Sequence, residues 1–241
     1  MEKVFDAVEA YRVAFGYRDI SAEADVLCAW FARHRGGSPG QVLEVASGPG
    51  DHALEFARRG ASVTALDLSP AMCAAARERA RAAGLAVDVV RGDMTAFRLA
   101  GRFDLVLLLL DSASLLLTDE AMGAFLGRAA EHLVPGGLLV VDLASGGAPP
   151  DWTVVSDGTA VRTQWGSPQD IYDPVTRVEQ VRVRMTVGAE LVVDEIVPAR
   201  RWRSAELPAL TSAFDMVARY DSMTGGTGRD IPVLRRRPSA V

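Results

Sequence analysis

Val42-Leu43-Glu44-Val45-Ala46-Ser47-Gly48-Pro49-Gly50-Asp51-His52-Ala53 is the stretch that decides the fold. Gln41 to Val45 is short and mostly apolar, as a buried strand is, and His52 to Arg59 spaces its apolar residues as a helix does, ending at Gly60. Between them Gly48 and Gly50 lack Cβ atoms, so the backbone can turn sharply and approach a ligand, while the start of the helix offers free N–H groups.

Working outward, the same grammar repeats. Ser62 to Leu66 reads as a second strand, Ser69-Pro70 caps a helix that Gly84 ends, and Ala86 to Val90 is a third strand. Phe103 to Leu110 is a fourth, apolar on both faces. Glu120 to His132 is helical, Pro135-Gly136-Gly137 is a turn, and Leu138 to Leu143 is a fifth strand. Parallel strands need crossovers, so this alternation predicts an α/β fold: an open sheet with helices on both sides and ligands at the carboxyl ends of its strands. Upstream, Val8, Tyr11 and Phe15, then Ala24, Leu27, Cys28 and Phe31, predict one or two helices before the turn at 36–40. After Gly146-Gly147-Ala148-Pro149-Pro150 the pattern becomes β-rich, with strands expected at Ala160 to Gln164, Arg177 to Val187 and Glu190 to Val197. A helix from Ser204 to Ala213 and strands at Phe214 to Tyr220 and Ile231 to Leu234 follow. The expected organisation is a helical cap over 1–40, a core over 41–149 and 204–241, and an antiparallel β insertion over 150–203. That insertion would overhang the crevice as a lid or serve as a dimer interface.

The composition bounds the partners. Of 241 residues, 49% are hydrophobic and 24% charged, and 26 Lys+Arg against 31 Asp+Glu leave a net charge of -5. Such a chain lacks the cations needed to neutralise a run of phosphates, so nucleic acid is not an expected partner. The longest apolar run, Leu105 to Leu110, is far short of the ~20 residues that span a bilayer, and the first residues are charged, so no membrane and a cytoplasmic location are expected. Cys28 and Cys73 read as small buried hydrophobes. His34, His52 and His132 are too scattered to gather a metal, and none is expected.

Three acids fall at the ends of three different strands. Asp67, seventeen residues beyond Gly50, is placed to accept both hydroxyls of a ribose. Asp93 suits an exocyclic amine, with Met94 beside it to cover an adenine. Glu44 puts a negative charge beside the glycine turn, which disfavours a pyrophosphate and suits a ligand carrying an ammonium and a sulfonium. The loose match Gly48-x-Gly50-x-x-Ala53 keeps an NAD-dependent oxidoreductase as an alternative.

Taken in order, Glu44-x-Ala46-x-Gly48-x-Gly50, Asp67-Leu68-Ser69-Pro70-Ala71-Met72, Gly92-Asp93-Met94, Phe103-Asp104, Asp111-Ser112 and His132-Leu133-Val134-Pro135-Gly136-Gly137 resemble the motifs of class I S-adenosylmethionine-dependent methyltransferases. The resemblance covers about 41–145. More loosely, Tyr17-Arg18-Asp19-Ile20 with Glu23 is similar to the amino-terminal cap of small-molecule members, including amino-sugar N-methyltransferases of antibiotic pathways. It implies a Rossmann-like fold, S-adenosyl-L-methionine as cofactor and S-adenosyl-L-homocysteine as product. It also implies in-line transfer of a methyl group to N or O of a small-molecule acceptor in secondary metabolism, by a monomer or homodimer. The implied cofactor residues are Glu44, Ala46, Gly48, Gly50, Asp67, Leu68, Met72, Gly92, Asp93, Met94 and Asp111. Asp111, with Ser112, is also the candidate for receiving a proton or positioning the acceptor. Tyr11, Phe15 and Tyr17 are candidate acceptor walls, and the β-rich block offers Trp152, Trp165, Arg182, Arg184, Glu195 and Trp202 as a group. Ser47, Pro49 and Asp51 depart from the family pattern. Pro49 removes an N–H and Asp51 adds an acid near the expected methionine carboxylate, leaving His52 or a backbone N–H as the replacement donor. A cofactor-binding protein without turnover is the second alternative.

Overall fold

The computed structural model describes residues 1–144, 151–225 and 228–238. Two helices, α1 (Val8–Phe15) and α2 (Ile20–His34), lead into β1 (Gln41–Val45), α3 (Asp51–Arg58), β2 (Ser62–Asp67), α4 (Pro70–Ala82), β3 (Val87–Arg91) and β4 (Phe103–Leu108). A 3-10 turn at Ser112–Leu115 precedes α5 (Asp119–His132), β5 (Leu133–Val141) and β6 (Leu143–Ala144). Then come β7 (Asp151–Ser156), β8 (Thr159–Trp165), β9 (Ile171–Asp173), β10 (Val178–Val187) and β11 (Glu190–Arg200), followed by α6 (Leu207–Leu210), β12 (Phe214–Tyr220) and β13 (Arg229–Arg236). The Gly146–Pro150 breakpoint lies outside the described residues.

The strands form two sheets. The first runs β3-β2-β1-β4-β5-β13-β12, with β6 also on β13. Its first five strands are parallel, while β13 enters antiparallel between β5 and β12. Because β2 and β4 lie on opposite sides of β1, the chain reverses direction across the sheet there, opening a crevice beyond the carboxyl ends of β1 and β4. The second sheet is an antiparallel β11-β10-β8-β7 meander with β9 on β10. Leu105 to Leu108 are wholly buried, as a central strand covered by helices on both faces requires.

The packing divides the amino-terminal segment. Ala24, Leu27, Trp30 and Phe31 of α2 join the core of the first sheet, whereas Val4, Ala7, Ala10 and Ala14 pack with Val161, Val183, Met185 and Val193 of the second. Glu2 bridges Val193, and the Val4 N–H donates to Glu195 Oε2 at 2.8 Å. The segment 1–40, read from the sequence as one cap, is thus shared between two cores.

Three local expectations change. Pro135-Gly136-Gly137 is not a turn before the fifth strand but a bulge inside it: Leu133 pairs with Phe103 and Leu138 with Leu105. The helix expected at Ser204 to Ala213 shrinks to a 3-10 turn and α6, because Thr211 is extended and its Oγ1 accepts the Ala213 N–H at 3.1 Å, drawing the chain out of the helix. The strands β7 and β9 were not expected: β9 is three residues long and wholly exposed, and β7 has only Trp152 and Val154 partly buried.

One buried chain of charges ties α2 to the crevice. Arg18 donates to both oxygens of Glu23, His52 Nε2 donates to Glu23 Oε2 at 2.9 Å, and His52 Nδ1 lies 3.5 Å from Glu44 Oε1. The other oxygen of Glu44 accepts the Ala53 N–H at 2.8 Å, capping the first turn of α3. Burial opposes the charge on His52, but its hydrogen bonds to the two glutamates outweigh that and push its pKa up to about 9. The same bonds, with Arg18, hold Glu23 below the usual carboxylate range despite its burial.

A histidine whose folded pKa is raised contributes stability that is complete below its free value of about 6.5 and lost as pH rises through 9. Urea midpoints should therefore show wild type losing on the order of 3 kcal/mol relative to His52→Gln between those limits; a pH-independent difference would refute the charged chain. At Gly137 a Cβ would meet Val134 O at 2.9 Å and Asp104 O at 3.1 Å, so Gly137→Ala should cost roughly 1–3 kcal/mol. Gly127→Ala, in α5 with open space around it, should gain about 0.5–1 kcal/mol in the same denaturation assay.

Candidate functional site

The crevice is built on strained backbone. Among the described residues five that are not glycine have positive φ, and three of them, Ala46, Leu110 and Asp111, lie just past β1 and β4. Between β1 and α3, Gly48 (φ 54) has open space where a Cβ would stand. Gly50 (φ 79) abuts Ala76, whose Cβ would be 3.3 Å from an added one. Asp67 at the end of β2 organises this turn: its Oδ2 accepts the Gly48 N–H at 2.7 Å and its Oδ1 the Ser69 N–H at 2.8 Å. Burial raises the Asp67 pKa against the pull of those N–H groups. The Ser47 hydroxyl is buried in the turn with no partner.

Carboxylates dominate the surroundings. Burial raises the Tyr11 pKa, with Asp67, Asp51 and Glu44 adding to the effect and Arg18 opposing it, which puts the phenol among these groups. Not all of the acids are free. Asp51 pairs with Arg79 at 2.7 Å, so the extra acid of the glycine turn is neutralised from α4. Glu44 is buried and committed to Ala53 and His52, which corrects its expected role as an open charge for a ligand ammonium. His52 is neither a bystander at a helix start nor a spare donor, since both of its nitrogens face glutamates.

Beside the crevice lies a cavity of about 510 Å³. Phe5, Tyr11, Phe15, Tyr17, Trp152 and Trp165 wall it, and Asp111, Ser112 and Arg229 supply its polar groups. Phe15 is the hub of the wall, 4.5 Å from the Tyr11 ring centroid, 5.6 Å from Trp152 and 5.8 Å from Trp165. Trp152 is fixed by an indole N–H donated to Ala14 O at 2.8 Å. Asp111 Oδ1 accepts the Ala144 N–H at 2.8 Å, and burial pushes the Asp111 pKa up to about 6. Its neighbour Asp142 accepts from Leu110 N at 3.0 Å and from Arg229 Nε at 2.6 Å. Tyr11 therefore lines the aromatic cavity within electrostatic reach of the crevice acids.

The remaining sequence candidates fall into place unevenly. Gly92 packs against Leu66, and its N–H donates to Asp67 O at 2.9 Å. Asp93 is exposed and holds its own turn through Thr95, while Met94 packs on the main core. Leu68 is 62% exposed at the rim, but Met72 is only 1% exposed and caged inside α4, which removes it from direct contact with a ligand. Trp202 is also buried, with Leu116 O accepting its N–H at 2.9 Å and the Arg200 guanidinium 3.7 Å above the ring, so it belongs to the core rather than to the β-rich wall. Arg182 and Arg184 pair with Asp194, and Glu195 accepts the Val4 N–H ahead of α1. Phe5, Arg229 and Asp142 were missed. Phe5 fits helical spacing and so carried no separate signal, and Arg229 sits 87 residues from the Asp142 it pairs with.

Comparison with known proteins agrees with this geometry. A methyltransferase domain family matches residues 42–137. The dTDP-3-amino-3,4,6-trideoxy-alpha-D-glucopyranose N,N-dimethyltransferase of Streptomyces venezuelae is 37% identical over 125 residues, 52% of this chain and 51% of that protein. The dTDP-3-amino-3,6-dideoxy-alpha-D-glucopyranose N,N-dimethyltransferase of Streptomyces fradiae is 36% identical over 127 residues, 52% of this chain and 47% of that one. The chain thus matches about half the length of these curated relatives. Among solved structures, DesVI of Streptomyces venezuelae superposes with TM-score 0.80 at 23% identity over 99% of this chain and 100% of its own. The S-adenosylmethionine-bound amino pentose methyltransferase from Micromonospora echinaspora does so with TM-score 0.74 at 26% identity, covering 98% of each. Residues 42–137 of the chain thus match a methyltransferase domain, within a fold shared with S-adenosylmethionine-dependent methyltransferases of known structure.

Proposed function

We propose that this protein is a cytoplasmic N-methyltransferase that uses S-adenosylmethionine to methylate a small-molecule amine of secondary metabolism. The observation that carries the reading is that Tyr11 lines an aromatic cavity, with Asp111 and Arg229 among its polar groups, within electrostatic reach of the carboxylates around the glycine turn. The crevice residues fit the cofactor: Gly48 leaves room for close approach, Ser47 has an unused hydroxyl, and Asp67 keeps lone pairs for ribose hydroxyls. Asp67, the crevice acid without an ion pair, disfavours a pyrophosphate and favours a cationic ligand, which argues against a nicotinamide dinucleotide.

When bound, the cofactor supplies a methyl group already activated on sulfur, so the protein's task is to position the acceptor and exclude water. The aromatic wall excludes water from the cavity, and Asp111 accepts an N–H of the amine so that its lone pair points toward the crevice. The β-rich sheet over 151–200 serves as the lid that selects the acceptor, with Trp152 and Trp165 as its contribution to the cavity. The acidic charge of -5 supports a protein without a nucleic-acid partner, acting as a monomer or homodimer.

Asp67→Ala should weaken S-adenosylhomocysteine binding by roughly 1.5–3 kcal/mol in calorimetry. It should also lower the melting temperature, because the Gly48 and Ser69 N–H groups lose their acceptor; unchanged affinity would remove Asp67 from the ribose site. Asp111 is charged above about pH 6, so turnover should fall as pH drops through that value. In Asp111→Asn this acid limb should vanish and kcat should drop about 10²-fold or more, whereas an unaltered pH profile would exclude Asp111 from the reaction.

A further inference from the structure

The relatives named above act on dTDP-linked amino sugars, and the cavity of this chain points elsewhere. We propose that the acceptor is an amine carried on an apolar, ring-bearing body without a phosphate group. The inference rests on the methyltransferase reading and deepens it.

Three observations carry it. First, the cavity is walled by aromatic rings on one side and by Leu115 and Val154 among its other contacts, so a bound body exchanges water for ring faces and edges. Second, a nucleoside diphosphate needs cationic donors, commonly a guanidinium that engages two phosphate oxygens at once. Arg229 is the one arginine lining the cavity among the described residues, and it is ion-paired with Asp142, which accepts from its Nε at 2.6 Å and lies 2.5 Å from its Nη2, a buried nitrogen without an aligned hydrogen bond. Every arginine between 151 and 202 is likewise committed: Arg162 to Asp151, Arg182 and Arg184 to Asp194, Arg201 to Glu179, and Arg177 and Arg200 to acids of the neighbouring elements. The chain has no lysine beyond Lys3 to replace them. Third, the adjoining cavity of about 600 Å³ on the far side of Phe15 gives no net positive charge. Arg12, Arg18 and Arg79 line it, but so do Glu9, Asp51 and Asp157.

A phosphate entering either cavity would have to break an existing ion pair and approach the remaining carboxylate. An amine on an aromatic body meets neither cost. Its nitrogen pairs with Asp111 and its ring lies along Phe15, Trp152 and Trp165.

The test is calorimetry on the full chain saturated with S-adenosylhomocysteine, titrated with 2-phenylethylamine, with a dTDP-linked 3-amino-3,6-dideoxyglucose and with the methyl glycoside of the same amino sugar. The aryl amine should bind at least 10-fold more tightly than either sugar. Trp165→Leu and Trp152→Leu, each first checked for cooperative melting, should weaken it at least 10-fold while leaving S-adenosylhomocysteine affinity within 2-fold. Tighter binding of the dTDP-linked sugar overturns the inference and leaves the methyltransferase reading intact. Aryl-amine binding that neither tryptophan variant alters overturns it as well, since the aromatic wall would then not be the site. If S-adenosylhomocysteine itself fails to bind, the methyltransferase reading falls and takes the inference with it.

Discussion

Glu44 cannot stay charged under a helix without partners, and the way it is partnered shapes everything around the crevice. The carboxylate lies at the end of β1, where burial makes an unpaired charge cost several kcal/mol. Ala53 N–H and His52 take its two oxygens, which fixes the first turn of α3 and hence the geometry of Gly48 and Gly50. His52, protonated because it stands between two glutamates, reaches Glu23 on α2, and Glu23 holds Arg18. A single line of alternating charges therefore connects the glycine turn to the segment that carries Tyr11, Phe15 and Tyr17. The aromatic wall is positioned by electrostatics formed on the other side of the crevice.

The parts of the fold that could be read from the sequence are those whose information is local. Strand β4 is a continuous apolar run, α4 begins with Ser69 accepting the Met72 N–H and Pro70 in its first turn, and the glycine turn has its own spacing. The bulge at Pro135–Gly137 was misread because proline and glycine also mark turns, and only pairing with Phe103 and Leu105 distinguishes the two. The division of the amino-terminal segment was hidden for a similar reason. Helical spacing says that α1 and α2 each bury a face, but not that α1 buries its face against β7, β8 and β10 of another sheet.

The site was legible to a different degree at each residue. Asp67 and Gly48 sit where the motif spacing puts them, and they bind each other. Glu44 and Asp51 were read as open charges, because a sequence shows an acid but not the His52 or Arg79 that neutralises it. Met72 and Trp202 carry side chains suited to a binding surface, yet burial decides whether such a group faces a ligand or the core, and spacing along a helix or strand does not resolve that.

The two compartments that meet at Tyr11 solve opposite electrostatic problems. On the crevice side Glu44 and Asp51 are offset by cations, and Asp67, held by N–H groups alone, is the negative charge left to favour a positively charged ligand. On the cavity side the one lining arginine, Arg229, is ion-paired with Asp142, and Asp111, with its pKa pushed up to about 6, is the carboxylate that faces the cavity. A nucleophile meant to attack a cationic donor must arrive uncharged, and a half-buried carboxylate near neutrality can hold an amine while tolerating loss of its proton. Pairing Arg229 with Asp142 also keeps that cation from competing with the amine for Asp111.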